Sequence, residues 1–317
     1  MNHLESSFIG KNAFWRYFVM LITVFAATNT IGAIPLLLGI GIKSVSDPEM
    51  MERLSADPGN LSQLGFDANI SLILNVFPFI VGLAAFLLLM KPLNDRSWKM
   101  VINGTDSFRW KKFFIAALVW IFLSTVYLFV FIKMDPSNFS LNNTSSSLLI
   151  LALVSMLLIP FQASFEEIIF RGYLMQGFTV LFRNRFFPLI ITALLFGLMH
   201  GLNPEVKAFG FWVMMPQYIL FGLIFGLITL LDDGIEAAMG AHTANNVFLL
   251  IMNTNESSAL QSDALYVQHT IYPWVEFAAL FIMGFLAIMI LKRLFKWDNL
   301  SFLAGRVEKA ERPDHIS

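Results

Sequence analysis

Long apolar runs alternate along the chain with short polar stretches, and this block pattern, rather than any strand-like alternation, sets the expected architecture. A helix needs roughly 20 predominantly apolar residues to cross a bilayer. Eight stretches meet or approach that length, beginning near Phe14, Ser71, Phe113, Ser147, Phe187, Ala208, Gly234 and Trp274. The seventh is the weakest, because Glu236, His242, Asn245 and Asn246 interrupt it. The pattern predicts an all-α, polytopic membrane helix bundle of about eight transmembrane helices. Between the spans, residues 44–67 are acidic with Pro and Gly, and residues 135–147 are polar, so both read as loops rather than domains. Residues 296–317 are too polar to span and read as an interfacial or flexible extension. No repeat of fixed period is present.

Composition agrees with the pattern. Of 317 residues, 57% are hydrophobic and 14% charged, and the mean hydropathy of +0.68 is far above that of a soluble domain. A net charge of -1 gives no basic surplus for nucleic acid, so none is expected as a partner. The chain has no cysteine, which removes disulfides, thiolate metal sites and a cysteine nucleophile. No short apolar core with a small-residue cleavage site opens the sequence, so the first span is expected to be retained.

Charge placement orients the bundle, since Lys and Arg collect on the cytoplasmic side. With the N-terminus inside, inner segments hold Lys11, Arg16, Lys91, Arg96, Lys99, Arg109, Lys111, Lys112, Arg183, Arg185, Lys292, Arg293, Lys296, Arg306, Lys309 and Arg312. Outer segments hold Lys43, Arg53, Lys133 and Lys207. Both termini are therefore expected in the cytoplasm, and the protein in the plasma membrane with lipid as its surroundings. Trp15, Tyr17, Trp110, Trp274 and Trp297 near helix ends suit an interfacial aromatic belt.

Ionisable residues inside spans cost at least about 2.5 to 3.5 kcal/mol each, so they normally face the protein interior and find a partner. Three sets occur: Glu166, Glu167 and Arg171 in the fourth span, His200 at the end of the fifth, and His242 with Asn246 in the seventh. Glu167 and Arg171 are spaced i and i+4 with the acid first, the favourable order for an intrahelical ion pair. Glu166 lies about 100° further round the helix and is free for another partner. His242 and Asn246 share a face by the same spacing. The bland reading is a charge cluster gluing helices together; the sharper one is a site, because two imidazoles and a carboxylate come from three different helices. At about 1.5 Å per residue the three lie roughly 25, 20 and 12 Å from the inner ends of their spans, a spread that tilt and Pro160 can absorb.

Three motifs carry a resemblance. EEIIFR (Glu166 to Arg171), FGLMH (Phe196 to His200) and HTANN (His242 to Asn246) are similar, in order, to the EExxxR, FxxxH and HxxxN motifs of the CAAX protease and bacteriocin-processing (CPBP, or Abi) family. That family includes the Ras-converting CAAX prenyl endopeptidases. The likeness divides the chain into residues 1–146 with three membrane helices, a core at 147–252, and a last helix with tail at 253–317; Glu236 lies outside the motifs. It implies an intramembrane endopeptidase acting on peptide or membrane-anchored protein substrates. By this resemblance Glu166 serves as base toward water, His200 orients the water and shares its proton, and His242 with Asn246 donates to the oxyanion. Glu167 and Arg171 support the fourth helix and tune Glu166, and Phe196 is a wall. No cofactor is implied. The same Glu166, His200 and His242 could instead be zinc ligands with an open fourth position, although an H-E-x-x-H helix is lacking. Two further readings are a proton- or ion-coupled transporter, since buried Glu and His build proton relays, and a non-catalytic binding protein on the same scaffold.

Overall fold

The computed structural model describes residues 2–56, 65–105, 107–142, 145–259, 261–298, 303 and 305–308. Part of the first loop, Lys309, Arg312 and much of the tail lie outside the described residues.

The apolar runs form helices that turn back on one another. In chain order these are α1 (Phe14–Asn29), α2 (Ile34–Ser46), α3 (Met50–Ala56), α4 (Ala68–Asn94), α5 (Lys99–Ile102), α6 (Trp110–Met134) and α7 (Ser145–Glu167). A π-helical segment, Ile168–Leu174, joins α7 to α8 (Met175–Phe182). Then follow α9 (Phe186–Met199), α10 (Pro204–Phe209), α11 (Phe211–Asp232), α12 (Glu236–Met252) and α13 (Pro273–Phe295). The fold is a polytopic helical membrane bundle, and it differs from eight equal spans in three ways.

Six segments among the described residues are long and apolar enough to cross a membrane: 14–46, 68–94, 110–134, 147–182, 211–232 and 273–295. The first is broken between α1 and α2. The fifth run yields α9, whose 14 residues reach about 21 Å, short of a bilayer's hydrocarbon thickness. The seventh yields α12, 17 residues long and too polar to qualify alone. It needs no lipid-compatible face, because it packs against α6, α7 and α11, and every side chain from Glu236 to Asn245 is buried. Small residues let its neighbours approach. A Cβ on Gly240 would collide with the Phe113 carbonyl oxygen of α6, so the two backbones touch there.

One end of the bundle gathers the terminal segments. The His3 backbone N–H donates to Asp233 Oδ1 at 2.9 Å, and Val307 N–H donates to the Arg183 carbonyl at 3.0 Å. Four helices reaching this end stop on residues with left-handed φ, Asp95, Arg183, Asp233 and Lys296. Asp232 draws together Arg109 Nη2 at 3.1 Å, Lys112 Nζ at 2.6 Å and Trp297 Nε1 at 2.8 Å. Trp297 is thus buried against a carboxylate rather than set in an interfacial belt, and Tyr17 is likewise buried, its ring 4.6 Å from that of Tyr173. Trp15, Trp110 and Trp274 are exposed at helix ends. At the opposite end the loops form a small sheet that hydrophobicity gave no sign of. In it β1 (Phe139–Leu141) pairs antiparallel with β3 (Tyr266–Gln268), and β3 pairs parallel with β2 (Asn253–Thr254).

Candidate active site

Because α9 ends early, His200 caps it inside the bundle, and the chain turns through α10 before α11 returns. Irregular backbone at that depth is tolerated where it lines a cavity. A cavity of about 360 Å³ lies there, and Glu166, His200, His242 and Asn246 all line it. That volume falls in the range of small-ligand and substrate sites.

The two adjacent glutamates face different partners, as their 100° offset requires. Glu167 is fully buried and its Oε1 accepts from Arg171 Nη1 at 2.8 Å and from His242 Nδ1 at 2.8 Å. The expected i, i+4 ion pair is therefore present and extends across to α12. Glu167 reaches His242, whereas the sequence reading directed its influence to Glu166. Arg171 is also fully buried, with its guanidinium 4.2 Å from the centroid of the Phe196 ring, a cation–π contact that gives the FGLMH phenylalanine a part beyond wall packing.

Glu166 turns to the cavity. Its Oε1 accepts from Gln162 Nε2, one turn earlier on α7. Its Oε2 is buried, has no hydrogen-bond donor among the described residues, and lies 3.7 Å from His242 Nε2. Gln162 is itself held from α12, where Asn246 Nδ2 donates to its Oε1 at 2.9 Å. Asn245 Nδ2 donates to Asn246 Oδ1 at 3.0 Å, and Trp120 Nε1 of α6 donates to Asn245 Oδ1 at 3.1 Å. A continuous chain thus runs Trp120, Asn245, Asn246, Gln162, Glu166. Gln162 had a legible signal, a polar residue four before Glu166 in an apolar run; Trp120 had none.

His200 stands on the far side of Phe196, with ring centroids 4.7 Å apart. Its Nδ1 is 2.8 Å from the Phe196 carbonyl oxygen, which fixes Nδ1–H as donor and leaves Nε2 for other partners. The Tyr218 ring stacks on it at 4.6 Å and 21°. His242 is held similarly, by the Phe225 ring at 5.0 Å and 22°. Among the described residues no three His, Asp or Glu side chains are grouped closely enough to hold a metal ion. Glu236 has no place here. It pairs with Arg109 at the terminal end of the bundle, Nη2 to Oε2 at 2.5 Å and Nε to Oε1 at 2.9 Å, and so anchors the start of α12.

The family described as Type II CAAX prenyl endopeptidase Rce1-like matches residues 145–248, the stretch that holds all three motifs and every cavity-lining residue named so far in this subsection. Residues 145–248 are an Rce1-like domain. The match supports an intramembrane peptidase of the CAAX-protease kind in general. The chain is also 29% identical over 259 residues to the Uncharacterized protein YyaK of Bacillus subtilis (strain 168), covering 81% of this chain and 84% of that one. No solved structure matches. The Rce1-like domain therefore coincides with α7 to α12, while α1, α4, α6 and α13 surround it.

Proposed function

We propose that the chain is an intramembrane endopeptidase that hydrolyses a peptide bond with a water activated by Glu166. The observation that carries this reading is Glu166 Oε2: a buried carboxylate oxygen without a donor among the described residues, 3.7 Å from His242 Nε2, on the wall of a cavity shared with His200 and Asn246. A gap of that width between two polar atoms suits a bridging oxygen. A water there donates to Glu166, its oxygen attacks the peptide carbonyl, and the proton passes through Glu166 to the leaving amine as the C–N bond breaks.

The oxyanion that forms needs donors. His242 directs Nδ1 to Glu167 and Nε2 toward the cavity; when it carries its second proton, Nε2 donates and Glu167 faces the charge, much as an orienting carboxylate serves a catalytic imidazole. Asn246 has a second Nδ2 hydrogen beyond the one given to Gln162. Each such donor is worth about 2.7 to 4 kcal/mol in the transition state. His200, fixed through Nδ1, offers Nε2 to the water or the leaving group. Gln162 and Arg171 touch no reacting atom and act by positioning.

The test is cleavage of a membrane-peptide library by the purified protein and by Glu166→Gln, His200→Ala and His242→Ala variants, with and without a chelator. The proposal expects cleavage that each substitution abolishes and a chelator leaves unchanged. Loss of cleavage on chelation with recovery on adding zinc transfers the role to a metal held by Glu166, His200 and His242. A folded wild type that cleaves nothing but passes ions or substrates across vesicles makes it a transporter.

A further inference from the structure

Two amide oxygens on the cavity wall are left without a donor. The cavity runs from Glu166 toward the end of the bundle opposite the termini, and Gln217 of α11 and Asn253 of β2 both line it there. Gln217 Oε1 and Asn253 Oδ1 are buried, and neither has a hydrogen-bond partner among the described residues. Buried polar groups are normally satisfied, so each such orphan calls for a reason.

The Asn253 oxygen is fixed as an acceptor by its surroundings. The Thr270 carbonyl can only accept, so Gln268 meets it with Nε2 at 3.3 Å, and the same group reaches Glu276 Oε1 at 3.2 Å. Gln268 Oε1 therefore faces Asn253, accepts from its Nδ2 at 2.8 Å, and leaves Asn253 Oδ1 free.

Both oxygens stand away from the catalytic level on the same side. Gln217 lies eight residues before Phe225, whose ring stacks on His242, and Asn253 lies eleven residues after His242 at the end of α12. At about 1.5 Å per residue these offsets are about 12 and 16 Å. An extended chain advances about 3.3 Å per residue, so they correspond to about four and five residues of such a chain. Phe221, Leu249 and Leu250 line the interval and offer apolar contact. A helical ligand would keep most of its N–H groups for itself, whereas an extended one brings them unpaired to a wall that holds acceptors.

From this we infer that Gln217 and Asn253 hold the main chain of the substrate: an extended, apolar peptide segment donates backbone N–H groups, about four to five residues from the scissile bond, to these two amide oxygens. Such recognition reads main chain rather than side chain, so it admits varied apolar residues and rejects proline, which has no N–H, at the held positions. It rests on the endopeptidase reading for the place of the scissile bond, but N–H recognition is also a property of binding and can be read without turnover.

The experiment uses the full chain in nanodiscs and a library peptide that wild type cleaves, its cleaved bond mapped by mass spectrometry, remade as a series with one backbone N–H at a time replaced by N-methyl. The expected result is a fall in kcat/KM of about tenfold or more, carried by KM, for methylation about four to five residues from the cleaved bond. Gln217→Leu and Asn253→Leu should each erase the penalty at one of those positions and leave penalties elsewhere unchanged. Gln217→Glu keeps an acceptor and should keep the penalty, which separates loss of the acceptor from a fold effect. Penalties that are the same in wild type and in both Leu variants overturn the inference and leave the endopeptidase standing. If wild type cleaves no peptide, the endopeptidase fails, and the same series is built on the library peptide that binds Glu166→Gln protein most tightly by fluorescence anisotropy. A position-specific loss of binding that Gln217→Leu or Asn253→Leu in that background erases then upholds the inference; uniform losses, or no binding at all, overturn it as well.

Discussion

Arg171→Met exposes how the charges beneath the cavity are held. Arg171 and Glu167 are both fully buried, 2.8 Å apart, and Glu167 Oε2 has no donor among the described residues. Taking away one member of such a pair leaves the other charge desolvated and unmatched, which costs about 3 to 5 kcal/mol. The lost stacking on Phe196 at 4.2 Å adds up to about 2 kcal/mol. Hydrophobic contact of the new methionine with Phe196 and Phe225 offsets part of this, so the net expectation is about 4 kcal/mol. The companion variant Arg171→Met/Glu167→Gln removes both charges and should recover to within about 1 kcal/mol of wild type, since exchanging a whole buried pair for neutral groups is often neutral. Its activity should stay low, on the order of 10²-fold down or more, because His242 has lost the carboxylate that orients it. Unfolding in mixed micelles with increasing dodecyl sulfate, followed by tryptophan fluorescence, gives the stabilities, and peptide cleavage gives the activity. A single variant as stable as wild type, or a double variant less stable than the single, would refute the argument.

Gln162→Leu breaks the bridge between Asn246 and Glu166 without placing a charge, so kcat for peptide cleavage should fall about 10²-fold with little change in thermal stability. Gly240→Ala forces a methyl group against the Phe113 carbonyl, where neither backbone can yield cheaply; it should destabilise by about 1 to 3 kcal/mol in the same unfolding assay, and an unchanged midpoint would show that α6 and α12 can part. His3 is held below the usual histidine value by burial, with Asp233 opposing in part. The unfolded chain then takes up a proton near its ordinary value of about 6.5 while the folded chain does not, so stability is level above that pH and is lost as pH falls below it. Thermal midpoints at about pH 7.5 and pH 5.5 should differ more for wild type than for His3→Gln.

The membrane class, the order of the spans and the three polar sets were legible because each depends on local composition. Lipid admits apolar helices and makes an embedded Glu or His conspicuous. The Glu167–Arg171 pair was legible too, since i, i+4 geometry belongs to any α-helix, and it survives even where the backbone widens into a π segment. The seventh span shows the opposite case. Its weak hydropathy looked like a marginal membrane crossing, yet it becomes the central helix because neighbours, not lipid, surround it. Trp297 and Tyr17 were misplaced for a related reason: an aromatic near a helix end has the same sequence signature whether lipid headgroups or a buried carboxylate receives it.

By itself, then, the amino-acid order determined that this chain lives in a bilayer and which of its residues are too polar to face lipid. Only the tertiary structure decided that α9 stops short so that His200 caps a cavity, that Glu167 serves His242 while Glu166 faces Gln162 and the open space, and that Glu236 belongs to the far end. Helical periodicity tells which residues share a face, but which faces meet depends on how separate helices pack, and that information is spread over residues more than a hundred positions apart, as in the bond from Trp120 to Asn245.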